Sequence, residues 1–166
     1  MEHKDDPIFN EVIAACKAKG VYDLMGLRCD WNEEVICQFY STLFIDNNRQ
    51  GKIHWMTDGV KYAISPTKFA RYLGLGREDQ QRETIINEPE LTREAFKELC
   101  EEEHPIIGST HGLYPFYFYI NRMLRKTIAP KDGYATNIAG LSGNVLARFK
   151  SEARPFSVMG FILDDI

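Results

Sequence analysis

The sequence predicts a mainly α-helical single domain of six or seven helices with one small antiparallel β-hairpin at about residues 52–65. Apolar residues recur at helical spacing in segments punctuated by Gly and Pro. One helix-start device, an apolar residue before a Ser or Thr cap and another within the first turn, occurs around Ser65, Thr92 and Ser157. By contrast, only one Asp-Gly pair, Asp58-Gly59, stands between two strand-like runs.

The first helix starts at Asp6-Pro7, an N-cap followed by Pro at the first helical position, where its missing N–H and fixed φ are harmless. Ile8, Phe9, Val12, Ile13 and Cys16 follow on one face, and Gly20 closes the helix. Residues 21–29 read as a short irregular stretch. Asp30 and Glu33 then match a capping box, and Val35, Ile36, Phe39, Tyr40 and Leu43 form the expected buried stripe of a second helix.

After a polar break at 46–50, the runs 52–57 and 60–65 flank Asp58-Gly59, a dipeptide that tolerates the positive φ angles of a type I′ turn. A lone two-stranded hairpin is marginal in water, so its apolar face should lie against helices. Ser65-Pro66 opens the next helix, with Ile64 and Phe69 as a hydrophobic staple, and Gly74 ends it. Leu91 with Phe96 and Phe156 with Phe161 repeat the staple around Thr92 and Ser157.

Residues 76–87 are polar and unpatterned and read as a mobile loop. Residues 91–103 read as an amphipathic helix buried through Ala95, Phe96, Leu99 and Cys100. The segment 114–128 begins with Pro115 and is apolar almost all round at its start, as a central helix would be, while Arg122, Arg125 and Lys126 occupy later turns that suit the macrodipole. A Pro/Gly loop at 129–136 follows. Leu141, Val145, Leu146 and Phe149 make one stripe of a helix at 138–150, where Gly140 and Gly143 should allow close helix approach. Residues 158–166 read as a helix without a Gly or Pro stop, which predicts that the chain is a module of a longer protein.

With 166 residues, the chain is long enough for one continuous core that buries roughly 70% of its unfolded surface. Hydrophobic residues make up 44% and charged residues 27%, ordinary globular usage that argues against wholesale disorder. The net charge of −4 disfavours a surface dedicated to coating nucleic acid, although a local basic face is compatible with it. Cys16, Cys29, Cys37 and Cys100 form no CxxC pair, and no signal peptide is present, which predicts free thiols in an intracellular protein of nucleus or cytoplasm. No apolar run approaches the ~20 residues of a spanning helix, so no membrane partner is expected.

The segments WNEEVICQFYSTL, KIHWMTDG, FARYLGL, LRKTIAPKDG and FSVMGFILDDI carry a resemblance. Over most of the chain, roughly residues 9–166, they resemble the plant transposon protein domain found in retrotransposon-like open reading frames of grass genomes. A more distant likeness links the chain to the plant mobile domain, which shares a hairpin followed by a helix ending in Leu-Gly-Leu. The resemblance rests on hydrophobic and turn patterns rather than a catalytic signature. It implies a plant protein of transposable-element origin and supplies no catalytic residues.

Each candidate for chemistry has a simpler structural explanation. Cys100 and His104 stand at i and i+4, with His111 nearby, but Cys100 lies on an apolar stripe and no fourth ligand has partner spacing. Cys–His nucleophile pairs require spatial proximity that no spacing indicates, and Cys16 and Cys37 fall on faces expected to be buried. The acidic pairs Glu33-Glu34 and Asp164-Asp165 suit capping and solvated helix faces better than a magnesium site. Gly-Ser-Thr-His-Gly at 108–112 lacks the Lys-Ser/Thr of a P-loop.

Arg122, Arg125, Lys126 and Lys131, beside the aromatics at 114–119, are the candidate contact residues for nucleic acid or another partner. The acidic run at 101–103 offers these cations a protein partner instead. No catalytic constellation, metal site or cofactor site is expected. The leading expectation is a non-enzymatic protein-interaction or assembly module, with self-association among its options. A nucleic-acid-binding domain of a transposon-derived nuclear protein is the alternative.

Overall fold

The computed structural model describes residues 7–26, 30, 32–46, 51–85, 87–128, 136–138 and 140–165. Among them are eight α-helices and a three-stranded antiparallel sheet: α1 Pro7–Lys19, α2 Tyr22–Met25, α3 Glu33–Thr42, α4 Pro66–Tyr72, α5 Arg93–Lys97, α6 Pro115–Thr127, α7 Leu141–Ala147 and α8 Val158–Asp165. The strands are β1 Phe44–Ile45, β2 Ile53–Thr57 and β3 Val60–Ile64, in spatial order β1-β2-β3. The expected mainly helical class holds, but eight helices stand among the described residues where six or seven were expected, the short α2 lying in a stretch without helical periodicity. The expected single hairpin gains a third strand because Leu43 leaves α3 in an extended conformation and directs Phe44 and Ile45 alongside His54 and Ile53.

The core is built on α6, which lies against α1, α2 and α7. Val12 and Cys16 from α1, Ile120 and Leu124 from α6, Val145 and Leu146 from α7, and Val158 and Phe161 from α8 are all buried. Burial pushes the Cys16 thiol up to about 11, so it stays protonated and behaves as a small hydrophobe. The start of α6 is half-covered rather than enclosed, with Phe118 39% exposed, so it buries one stripe and not its whole circumference. Asp6, Cys29, Lys131 and most of the 129–136 loop lie outside the described residues.

Several helix ends follow their local chemistry. Gly20 and Gly74 take φ of +75° and +77° and close α1 and α4 with paired C-terminal hydrogen bonds, including Val21 N–H to Cys16 O and Leu75 N–H to Ala70 O. Ser65 and Thr92 cap α4 and α5 by accepting from Lys68 N and Ala95 N. The aromatic staple at Ser157 forms with the Phe156 and Phe161 rings 6.4 Å apart.

Other expectations are corrected. The Asp30/Glu33 capping box does not start α3; Asn32 does, its side-chain oxygen accepting from Val35 N at 3.2 Å. The helix expected over 91–103 ends at Lys97, because Leu99 O and the Glu101 N–H turn instead to Tyr114 N and Gly112 O of the returning chain. Residues 21–29, read as irregular, include the short helix α2.

The largest correction concerns residues 76–87, read as a mobile loop. They contain a 3₁₀ helix, Arg77–Gln81, and a parallel bridge from Glu83 to Phe156, and Ile85 is fully buried. Asp79, only 2% exposed, accepts from Val158 N at 2.7 Å, Met159 N at 3.0 Å and Ser157 Oγ at 3.2 Å. A carboxylate from a distant segment thus caps α8, where orphan N–H groups and the helix dipole favour negative charge. Arg82 continues the network by donating to Lys19 O at 2.8 Å, while the buried Lys19 ammonium donates to Lys150 O and Ala153 O. Burial lowers the Lys19 pKa from its usual value, partly offset by the Glu152 carboxylate.

Asp58 and Gly59 adopt φ of 51° and 73°, the type I′ geometry expected of the hairpin. A side chain at Gly59 would meet open space, whereas one at Gly74 would lie 3.5 Å from Asp23 Cβ; at both the backbone angle is the obstacle. Gly59→Val and Gly74→Val should therefore each lower stability by about 1–2 kcal/mol. Urea melts check this, and unchanged midpoints would show that left-handed backbone is not what fixes these turns.

Candidate functional site

Helix α3 lies across β2, and polar contacts fasten the two. Thr42 Oγ1 accepts from Met56 N at 2.8 Å and donates its one proton back to Gln38 O at 2.6 Å, while the Gln38 side chain accepts from Asp58 N at 2.7 Å and donates to the Asp58 carboxylate. Between these clamps, the Trp55 ring stacks on Tyr62 at 5.3 Å and meets the edge of Phe39 at 5.5 Å. Trp55 and Tyr62 are cross-strand partners, so the aromatic row runs across the sheet beneath α3. On the opposite face Phe44 stacks flat on His54 at 4.7 Å.

This module is anchored to the main core through little apolar surface. Ile53 is its one fully buried hydrophobic among the described residues, helped by Leu43, Trp55 and Ile64 at the core margin. No residue of α3 is buried. The stripe expected inside the protein is instead largely solvent-facing: Val35 is 40%, Ile36 39% and Tyr40 61% exposed. Ile45, Val60 and Tyr62 carry exposed apolar surface on the Trp55 face of the sheet, and Phe44 and Met56 carry it on the opposite face. Cys37, also expected to be buried, is exposed. A cluster of exposed apolar side chains on one helix and its sheet marks an interaction site more often than a lone exposed side chain does.

The sheet also has an open edge. Among the described residues, nothing pairs with the side of β3 that faces away from β2, and Val60, Lys61, Tyr62 and Ala63 are exposed. Edge strands present unpaired N–H and C=O groups that can template another strand.

The cationic candidates are partly dispersed. Arg122 and Lys126 are exposed one turn apart on α6, whereas the Arg125 guanidinium donates to Asn137 O at 2.9 Å and helps hold the start of α7. Lys131 lies outside the described residues. The acidic run at 101–103 makes a different pairing, with Glu102 3.3 Å from His111 Nδ1.

Among the described residues, the other candidate groups stand apart from one another. Cys100 is buried and its thiol donates weakly to Phe96 O, burial being the main cause of its raised pKa. Among the described residues, no cluster of three or more His, Cys, Asp or Glu side chains has metal-binding geometry. A broad groove of about 900 Å³ lies between α1 and the start of α6, with Glu11, Glu98 and Glu152 around Tyr117. Burial, reinforced by those carboxylates, raises the Tyr117 phenol pKa, which keeps it neutral and unsuited to act as a base.

What the α3–sheet surface can do chemically is bury apolar area and pair backbone. Reading the sequence alone missed Tyr40, Phe44 and Tyr62 as exposed, because a helical or alternating apolar stripe announces burial without saying what covers it. The excess of aromatics over so small a sheet was the available signal. No helix among the described residues is long and apolar enough to cross a membrane. Compared with protein-family models, curated proteins and solved structures, the chain finds no match.

Proposed function

We propose that this chain is a non-enzymatic protein-interaction module whose working surface is the exposed apolar face of α3 and the three-stranded sheet. One observation carries the reading: α3 keeps an apolar stripe at helical spacing yet buries no residue, while it is held to β2 by specific hydrogen bonds. A fold that fixes such a helix in place without covering it pays in solubility, and a protein surface of matching apolar character recovers that burial. The likeness to the plant transposon protein domain supports assigning the module to a plant protein of transposable-element origin, working in nucleus or cytoplasm.

Ile36→Ser with Tyr40→Ser tests the surface. Because both side chains are exposed, the double variant should melt within about 0.5 kcal/mol of wild type. Binding of an anilinonaphthalene dye to the native protein should fall severalfold. Unchanged dye binding would remove the α3 face from consideration. The same protein should bind duplex DNA only weakly at physiological salt. Tight binding there, lost in Arg122→Ala with Lys126→Ala, would assign a phosphate-binding function instead.

A further inference from the structure

We propose that the open edge of β3 pairs with β3 of a second copy, antiparallel and centred on Tyr62, to make one continuous six-stranded sheet. This self-pairing rests on the α3–sheet module as the chain's interaction surface and names the occupant of its open edge.

The two-residue turn determines which backbone groups lie at the edge. Thr57 and Val60 close it as a hydrogen-bonded pair, and antiparallel alternation makes Trp55 with Tyr62 and Ile53 with Ile64 the next such pairs. Val60, Tyr62 and Ile64 therefore direct their N–H and C=O groups toward β2. Those of Lys61 and Ala63 point outward, and among the described residues they make no hydrogen bond.

An antiparallel copy centred on Tyr62 sets Lys61 opposite Ala63 of the second copy, and the two-fold axis repeats that pair. Each pair exchanges two hydrogen bonds, so every outward group of both residues is satisfied. Tyr62 then faces Tyr62 of the second copy as a non-hydrogen-bonded pair, the arrangement in which side chains approach closest. The existing row Phe39, Trp55, Tyr62 would continue into its own mirror order. Val60, 52% exposed, would meet Ile64 of the second copy.

Neighbouring registers are worse for stated reasons. Centring on Lys61 puts two ammonium groups directly opposite each other, which is destabilising. Centring on Ala63 requires Ser65 to continue the ladder, but its carbonyl already accepts from Phe69 N at 2.9 Å as the cap of α4. An edge lysine normally deters strand addition; set opposite alanine, it leaves this one register open. Such isologous pairing is the usual form of a dimer interface. A five-residue edge buries less than the ~1,200 Å² of a standard interface, so the dimer should be weak and concentration-dependent.

Sedimentation equilibrium of the full chain tests this over roughly a hundredfold range of concentration. The wild-type mass should rise from 19.1 kDa toward twice that value. Ala63→Pro removes an outward donor that β2 does not use, so it should remain folded by circular dichroism and stay monomeric throughout. Ala63→Lys, which opposes Lys61 of the second copy with a like charge, should weaken the dimer about threefold to tenfold, and Ala63→Glu should strengthen it by a similar factor. A wild type that stays at 19.1 kDa at every concentration overturns the pairing. So does a dimer indifferent to the charge at position 63. Association that survives Ala63→Pro and Ala63→Lys unchanged but is lost in Ile36→Ser with Tyr40→Ser would overturn the edge while leaving the apolar face as the interaction surface.

Discussion

Replacing Asp79 by Ala is expected to lower the stability of the domain by about 3 kcal/mol, a large share of the ~5–15 kcal/mol typical of a folded domain. The side chain is 2% exposed and its oxygens accept from two backbone N–H groups and one hydroxyl at the start of α8. Losing an N-cap alone costs about 0.5–2 kcal/mol, and each buried donor left without a partner adds about 1–3 kcal/mol where water cannot enter. Arg82, 3.9 Å from the same carboxylate, would also lose its neighbouring negative charge. Asp79→Asn keeps an acceptor oxygen but not the charge that suits the helix dipole, so about half the loss is expected. Urea melts of the two variants measure this directly. A change below about 0.5 kcal/mol in Asp79→Ala would mean that α8 is held by packing alone.

Trp55→Ala should cost nearly as much, about 2–3 kcal/mol, but the loss should be local. Its ring touches both Phe39 on α3 and Tyr62 on β3, and each such aromatic pair contributes about 0.5–1.5 kcal/mol beyond area burial. Without it, the Gln38 and Thr42 clamps remain, but the aromatic bridge between helix and hairpin is gone. Native-state hydrogen exchange should therefore show α3, β2 and β3 losing protection while α6 and α7 keep theirs, the behaviour of a separate cooperative unit. Equal loss of protection in α6 would show that the module and the main core unfold together.

These two variants probe features that differ in how they are encoded. Trp55 and Tyr62 flank an Asp-Gly turn whose register follows from chain geometry, so their pairing was legible before any coordinates. Asp79 was not. It sits in a polar stretch with no periodicity, and its partners are the N–H groups of residues nearly half the chain away. A local pattern does not distinguish a solvated aspartate from one that reaches across space to cap a helix. The same limit shortened the helix at 91–103, where hydrogen bonds from the returning segment at 112–114 took over the backbone groups that the helix would have used.

By itself the sequence determined where α1, α4, α5, α6 and α8 begin and where α1 and α4 end, that the hairpin turns at Asp58-Gly59, and that the chain is mainly helical, while the helix expected at 138–150 is only Leu141–Ala147. Those features depend on caps, staples and positive-φ glycines, whose energetics are settled within a few residues. Only the tertiary structure decided which apolar stripes are covered. The periodicities of α3 and α7 both announced an apolar face, yet α7 buries Val145 and Leu146 against the core while α3 rests on β2 and leaves Tyr40 in solvent. Burial depends on what the rest of the chain brings opposite a face. That is a property of long-range packing, which the spacing of residues along one helix does not contain.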